Sequence, residues 1–220
     1  MLKADFHIHT NYSPDSEVSP EQLVERCLKV GLNCIAVTDH NTIEGALAVK
    51  ELAPFTVIIG EEIRSTQGEI TGLFLTECIP ADLPPADTVK LIKDQGGIVS
   101  IPHPFDRFRS EVISAAALES ITDFADIVEI FNARNSMSAD DRKARKYAQD
   151  HGLLTSAVSD AHTIIELGRT YTAMPDFDGS PTDFKRALAE ATLVGRRMNP
   201  LIHIATSFTK IKKRLQRNRG

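Results

Sequence analysis

Residues 3–9 read KADFHIH. Apolar and polar side chains alternate until the run stops on two histidines two positions apart. In an extended strand, side chains at i and i+2 point to the same face, so His7 and His9 aim at one spot, with Asp5 on the same parity one step deeper. The pattern recurs along the chain. CIAVTDH (34–40), TVIIGEEI (56–63), EITGLFL (69–75), GIVSIPH (97–103), DIVEIFN (126–132) and LTSAVSD (154–160) are all short β-like runs. Between them lie helical stretches. One starts near Ser19-Pro20-Glu21, a cap, a proline and an acid in the order a helix start requires, and others cover about 43–52, 86–95, 138–151 and 182–193. Gly31 and Gly152 stand where left-handed caps hand the chain to the next strand. Strands alternating with helices predict an α/β fold with a mostly parallel sheet.

The ends of these strands carry the chemistry. His7 and His9, Asp39 and His40, Glu61 and Glu62, His103, and Asp160 and His162 all stand at or just beyond a strand's carboxyl end, where barrel-type α/β proteins assemble their active sites. Five of the seven histidines fall in this pattern, which predicts one shared metal site. Asp160 and His162 repeat the i, i+2 spacing of His7 and His9. Imidazole and carboxylate without thiolate suit zinc, manganese or iron better than calcium, whose ligands are nearly all oxygen. Asp39 and His40 are neighbours and face opposite ways in a regular strand, so His40 is the expected ligand and Asp39 an orienting or catalytic group. Glu61 and Glu62 pose the same parity question, which the residues leave open. His103 lies between two prolines that fix its backbone. His151, at a helix end, and His203, with no partner motif, are expected to be structural or solvated.

The bulk properties set limits. A chain of 220 residues with 42% apolar and 25% charged residues suits one globular core, expected over 1–205, followed by a basic tail over 206–220. No apolar run is long enough to span a membrane, and no secretory signal is read. Cys27, Cys34 and Cys78 form no CxxC pair and read as reduced thiols of a cytoplasmic protein. The net charge is −5, yet the last twelve residues hold six basic side chains and no acid, so the rest of the chain stands at −11 (25 − 6 = 19 basic against 30 acidic). A body this acidic does not attract long nucleic acids over its whole surface. The tail could rest Ile211 and Leu215 on the barrel with its basic side in water, or recruit a short nucleic acid. Arg134 after DIVEIFN, Arg107 and Arg109 after HPFD, and Arg169 after SDAH are guanidinium forks suited to phosphate. Arg134 is the best placed, and Arg107 and Arg169 join it as expected substrate contacts. No glycine-rich phosphate loop or nucleophilic Ser or Cys elbow is present, which leaves water as the nucleophile.

Taken together, DFHIHTNYS (5–13), VTDHNT (37–42), IIGEEI (58–63), IPHPF (101–105) and SDAH (159–162) resemble, in order and spacing, the PHP (polymerase and histidinol phosphatase) superfamily over almost the whole chain. The resemblance implies a distorted (β/α)7 barrel and two or three divalent metal ions (Mn, Fe or Zn) that serve phosphate-ester hydrolysis. Position by position, it makes His7, His9 and Asp160 ligands of one metal. Its Gly-x-Glu pattern selects Glu62 as the bridging carboxylate. Asp15 joins His40 and His162 at a second metal, and His103 joins Glu62 at the remaining position. It also implies a phosphate contact at Arg134. One departure stands out: where many relatives carry a histidine in a segment resembling EIHIVGL, this chain reads EITGLFL, with Thr71 about at that place. A second metal would then have fewer protein ligands. The function expected is a phosphoesterase acting on a nucleotide, an oligonucleotide end or a phosphorylated metabolite through a metal-bound hydroxide, with Asp39 assisting the leaving group. The alternatives are a metal-dependent amidohydrolase and a non-catalytic, metal-binding regulatory module.

Overall fold

The computed structural model describes residues 1–199 and, beyond them, residues 206, 209, 210, 212, 213 and 215. His203 and Ile211, named above, lie outside the described residues. The elements follow in the order β1 (Leu2–Asp5), α1 (Pro20–Val30), β2 (Cys34–Val37), α2 (Glu44–Leu52), β3 (Thr56–Ser65), β4 (Gly68–Leu73), α3 (Pro85–Asp94), β5 (Ile98–Ile101), α4 (Ala115–Ile121), β6 (Ile127–Asn132), α5 (Ser138–His151), β7 (Leu154–Val158), β8 (Tyr171–Met174), α6 (Pro181–Ala189) and β9 (Thr192–Val194). Local chemistry explains the boundaries. Ser19 and Gln22 form a reciprocal capping box with Pro20 at the first helical position, and Gly31, at φ 74°, accepts the left-handed turn that ends α1. Gly152 does the same for α5 at φ 64°.

The nine strands form one sheet in the order β7-β6-β5-β4-β3-β2-β1-β8-β9. It curls into a nearly closed barrel. Thr172 of β8 replaces part of the missing strand pairing: its hydroxyl accepts from Ala157 N–H and donates to Ala157 O, both at 3.1 Å. The chain just beyond β1 also meets the chain just beyond β7, where Ile8 bridges Ala161.

Parallel pairing is less dominant than the sequence suggests. β1–β2, β2–β3, β5–β6 and β6–β7 are parallel, whereas β3–β4, β4–β5, β1–β8 and β8–β9 are antiparallel. The cause lies in the turn at residues 66–67, which sends β4 straight back along β3 without a crossover helix. β8, β9 and the seven-residue α4 are too short for a periodicity to reveal. β9 also takes the end of the stretch expected to be one helix to residue 193.

Two cores hold the barrel. Outside the sheet, Ile35, Val37, Ile59, Ile70, Val99, Ile101, Val128 and Ile130 pack against α1 through α5. Inside, Ala4, Cys34, Ala36, Ile58, Leu73, Ile98, Ile127 and Val158 close on Phe184 of α6, which plugs the floor. Phe184 is fully buried and meets Phe6, Phe74 and Phe177 edge-on at 5.1–5.4 Å. Truncating such a side chain costs about 3–5 kcal/mol. The floor is sealed by carbon, so polar groups gather at the opposite mouth.

Candidate metal centre

At the mouth, β1 ends at Asp5 and the backbone changes phase. Ala4 and Phe6 face the interior core, while His7 and His9 turn into the mouth. Asp5 therefore drops out of the set. Its Oδ1 accepts from Ser159 N–H at 3.0 Å, and burial pushes its pKa up to about 7. His40 follows β2, Glu62 lies in β3, His103 follows β5, and Asp160 and His162 follow β7. His103 and Asp160 hold left-handed backbones, φ 30° and 53°. Neither is a glycine, so the fold bears a strain that turns both side chains inward.

The ligand atoms converge. His7 Nε2 and His9 Nε2 are 3.0 Å apart. Each lies 3.4 Å from a Glu62 oxygen and 3.5–3.6 Å from Asp160 Oδ1. His103 Nε2 lies 3.0 Å from Glu62 Oε1, and His40 Nδ1 3.2 Å from Glu62 Oε2. Asp15 places its two oxygens 3.4 Å from His40 Nε2 and His162 Nε2. Four mutually close donor groups result: His7-His9-Asp160, His7-Glu62-His103, His9-His40-His162 and His40-Glu62-Glu69. All these side chains are buried except His40 and Asp15, whose exposure is 19% and 15%.

Outer partners fix the tautomers. His7 Nδ1 lies 2.6 Å from Glu129 Oε1, an acceptor, so Nδ1 carries the proton. His9 Nδ1 lies 3.1 Å from Ser13 Oγ, whose own proton goes to Asp39 Oδ1 at 2.6 Å, so His9 Nδ1 is again the donor. Both Nε2 atoms are left facing each other and two carboxylates. Asp160 Oδ1 has no hydrogen-bond partner at all. Buried imidazole and carboxylate atoms that converge this closely call for a cation at their centre, so the donor set fits a divalent metal. The same crowding moves the titrations apart. Burial opposes a charge on His7, but Glu129, Glu62 and Asp160 outweigh it and hold the pKa well above the usual imidazole range. His9, buried beside His162 and His40, is held well below that range. Burial and the neighbouring Glu62 push Glu69 up to about 8.

Beside this cluster lies a cavity of about 600 Å³. Asp15, His40, Glu69 and His162 form its inner wall, and Arg109, Arg134, Lys210 and Phe108 line it further out. Arg134 Nη1 sits 2.6 Å from His162 Nδ1, and Arg109 pairs with Asp106 and Asp160. Anionic ligands and cationic side chains thus share one opening.

The PHP domain matches over residues 5–101, and the PHP-associated segment over 140–193. Two uncharacterized proteins of Methanocaldococcus jannaschii are similar. One is 42% identical over 146 residues, 60% of this chain and 82% of the relative; the other is 32% identical over 198 residues, 85% and 79%. The chain belongs to the PHP superfamily. The folds agree across larger distances in sequence. A two-domain protein of Bacteroides vulgatus containing a predicted PHP-like metal-dependent phosphoesterase superposes with a TM-score of 0.71 at 20% identity, over 89% of this chain and 65% of that one. The lesion-specific endonuclease PfuEndoQ of Pyrococcus furiosus gives 0.63 at 15%, over 90% and 59%. An amidohydrolase of Chromobacterium violaceum gives 0.58 at 15%, over 93% and 96%. The chain thus spans less than two thirds of the first two of these proteins.

Within this PHP barrel, His7, His9, Asp15, His40, Glu62, His103, Asp160 and His162 come together at one mouth. Several other expectations need correction. Asp39 does not reach the cavity. It is fully buried, and its oxygens accept from Thr10 N–H, Thr10 Oγ and Ser13 Oγ at 2.6–2.7 Å, so it positions His9 through Ser13. Gly45 leaves room for it: a Cβ there would lie 1.9 Å from Asp39 Oδ2. Arg107 turns outward onto Asp140, and Arg169 is exposed; neither lines the cavity, whereas Arg109 does. His151 packs on Tyr147 at the end of α5. Thr71 pairs across the strands with Glu62, but the residue of β4 that reaches the mouth is Glu69, 3.5 Å from His40 Nδ1. An antiparallel strand presents its first residues, not its last, at the mouth, which is why parity counted from a parallel strand misses this one. Glu129 was missed as well; the signal for it is an acid buried in the middle of the β6 strand, although nothing in the sequence shows which histidine it meets.

Proposed function

We propose that this chain is a metal-dependent phosphoesterase acting on a small phosphate ester, such as a nucleotide, a phosphorylated metabolite or the end of a short oligonucleotide. The observation that carries the reading is the convergence of His7 Nε2 and His9 Nε2, 3.0 Å apart, with the carboxylates of Glu62 and Asp160, beside a cavity lined by Arg109, Arg134 and Lys210. His7, His9 and Asp160 would hold one ion, Glu62 and His103 a second, and Asp15, His40 and His162, with Glu69 nearby, a third. Bound there, Mn, Fe or Zn would supply Lewis acidity toward a phosphoryl oxygen and a water of lowered pKa. The chain's own work is positional and electrostatic. Glu129 and Ser13 lock the two imidazoles, Glu62 faces His7, His9, His40 and His103, and Arg134 and Arg109 offer donors to the charge on phosphoryl oxygens.

An amidohydrolase is the weaker reading. Amide cleavage has no need of two guanidinium groups at the opening, and the likeness to an amidohydrolase is one of fold. Elemental analysis of protein purified without chelator should find divalent metal, and a panel of phosphoesters beside a panel of amides should give turnover with the phosphoesters. His7→Ala and Asp160→Ala should abolish that turnover while circular dichroism stays unchanged. Metal without phosphoester turnover would support a regulatory module, and undiminished turnover in either variant would overturn the assignment.

A further inference from the structure

Among the described residues near the C-terminus, Leu215, one of two apolar side chains that could rest on the barrel, is 55% exposed, whereas Lys213 turns toward the barrel. Lys213 Nζ donates to three main-chain carbonyls, those of Asn11 and Ser13 at 2.8 Å and of Ser16 at 2.5 Å. An ammonium has three N–H donors, and this one meets three acceptors from a single loop. That loop, residues 11–16, carries Asp15, the carboxylate set between His40 and His162. The loop is also tied to the site itself: Ser16 Oγ bonds the carbonyls of His9 and His162 at 3.1 and 3.0 Å, and Ser13 Oγ lies against His9. Seven residues earlier on the same segment, buried Thr206 accepts from Arg134 Nη2 at 2.9 Å.

We propose that Lys213 is a clamp on the mouth of the barrel: it gathers the carbonyls of loop 11–16 and so holds Asp15 against His40 and His162, while Thr206 steadies Arg134. Lys213 is a positioning residue, and its role rests on reading Asp15, His40 and His162 as ligands of one ion. Three converging carbonyl dipoles repel one another once the ammonium is removed, so the loop relaxes and the carboxylate leaves its place.

The sign of the effect separates this role from simple charge. Removing a positive charge near a cation site should by Coulomb's law tighten cation binding. Removing the clamp should loosen it. The test is calorimetric titration of the metal-free protein with Mn²⁺, which needs no turnover. Lys213→Met should still fold without metal, with a lowered melting temperature, and bind its last ion about tenfold or more weakly, the loss expected from charge-assisted hydrogen bonds, while the tighter ions change little. Lys213→Arg should recover most of the affinity. Lys212→Met, which removes an equal charge from an exposed pair with Glu17, should match the parent. Should Lys213→Met not fold, Lys213→Gln, which retains an amide donor, takes its place with an intermediate loss expected. A Lys213 variant that binds every ion as tightly as the parent, or more tightly, overturns the clamp. A parent that takes up no Mn²⁺, Fe²⁺ or Zn²⁺ overturns the metal centre itself, and the clamp with it.

Discussion

Glu129→Gln tests the tautomer argument with a change of one atom. Glu129 is 2% exposed, and its two oxygens serve three donors: His7 Nδ1–H on Oε1 at 2.6 Å, and His103 N–H and Asn132 Nδ2 on Oε2, each at 3.0 Å. A glutamine amide cannot serve all three. With its nitrogen at the Oε2 position, two buried donors meet a third. With its nitrogen at the Oε1 position, His7 must give up its Nδ1 proton to accept, and the proton moves to Nε2, where it blocks the lone pair aimed at the metal. Either arrangement leaves buried donors unpaired, at about 1–3 kcal/mol. If the loss falls on the ion-bound state, the affinity of the ion held by His7 drops about 10- to 100-fold, the range typical of a lost partner behind a metal-bound histidine. Calorimetric titration of the metal-free protein with Mn²⁺ reads this directly. The parent's affinity should rise with pH, because His7, whose pKa is held high by its carboxylate neighbours, must lose a proton to bind. A folded Glu129→Gln protein with the parent's affinity and pH dependence would show that the tautomer of His7 does not matter, and the reasoning behind the metal centre would fall with it.

Two further outcomes follow from the same geometry. Burial raises Asp5 from 3.8 to about 7, so the folded state binds its proton more tightly than the unfolded chain, and stability should fall as pH rises from about 4 to 7 and level off above. In urea melts, Asp5→Asn should gain on the parent across that window by up to about 4 kcal/mol, and a constant difference would count against the shift. Arg109→Ala should raise the KM for a phosphoester at least about tenfold, since it removes a guanidinium lining the cavity, whereas Arg107→Ala and Arg169→Ala should stay within about twofold. Equal effects from all three would mean that long-range charge, not contact, governs substrate binding.

Much of the barrel and its mouth was written in local pattern. The spacing of His7 and His9, the matching pair Asp160 and His162, and the helix caps at Ser19, Gly31 and Gly152 depend on backbone geometry within a few residues, which a sequence displays directly. So did the choice of His40 over Asp39 as the inward-facing neighbour, because alternate residues of an extended chain face opposite ways. Where a segment departs from regular geometry, the same rule fails. Asp5 leaves the set because β1 shifts phase before His7, and Glu69 enters it because β4 runs backwards.

The sequence by itself determined which residue types stand at the strand ends, and therefore that a cluster of imidazoles and carboxylates would form at one pole of an α/β barrel. Tertiary structure alone decided what stands behind them. Glu129 behind His7, Asp39 behind Ser13, Arg109 rather than Arg107 beside Asp160, and Lys213 beneath the loop of Asp15 pair residues from 26 to 200 positions apart. Hydrogen bonds act over about 3 Å. Proximity on that scale between distant segments is set by how the sheet curls and closes, which no local pattern in the chain encodes.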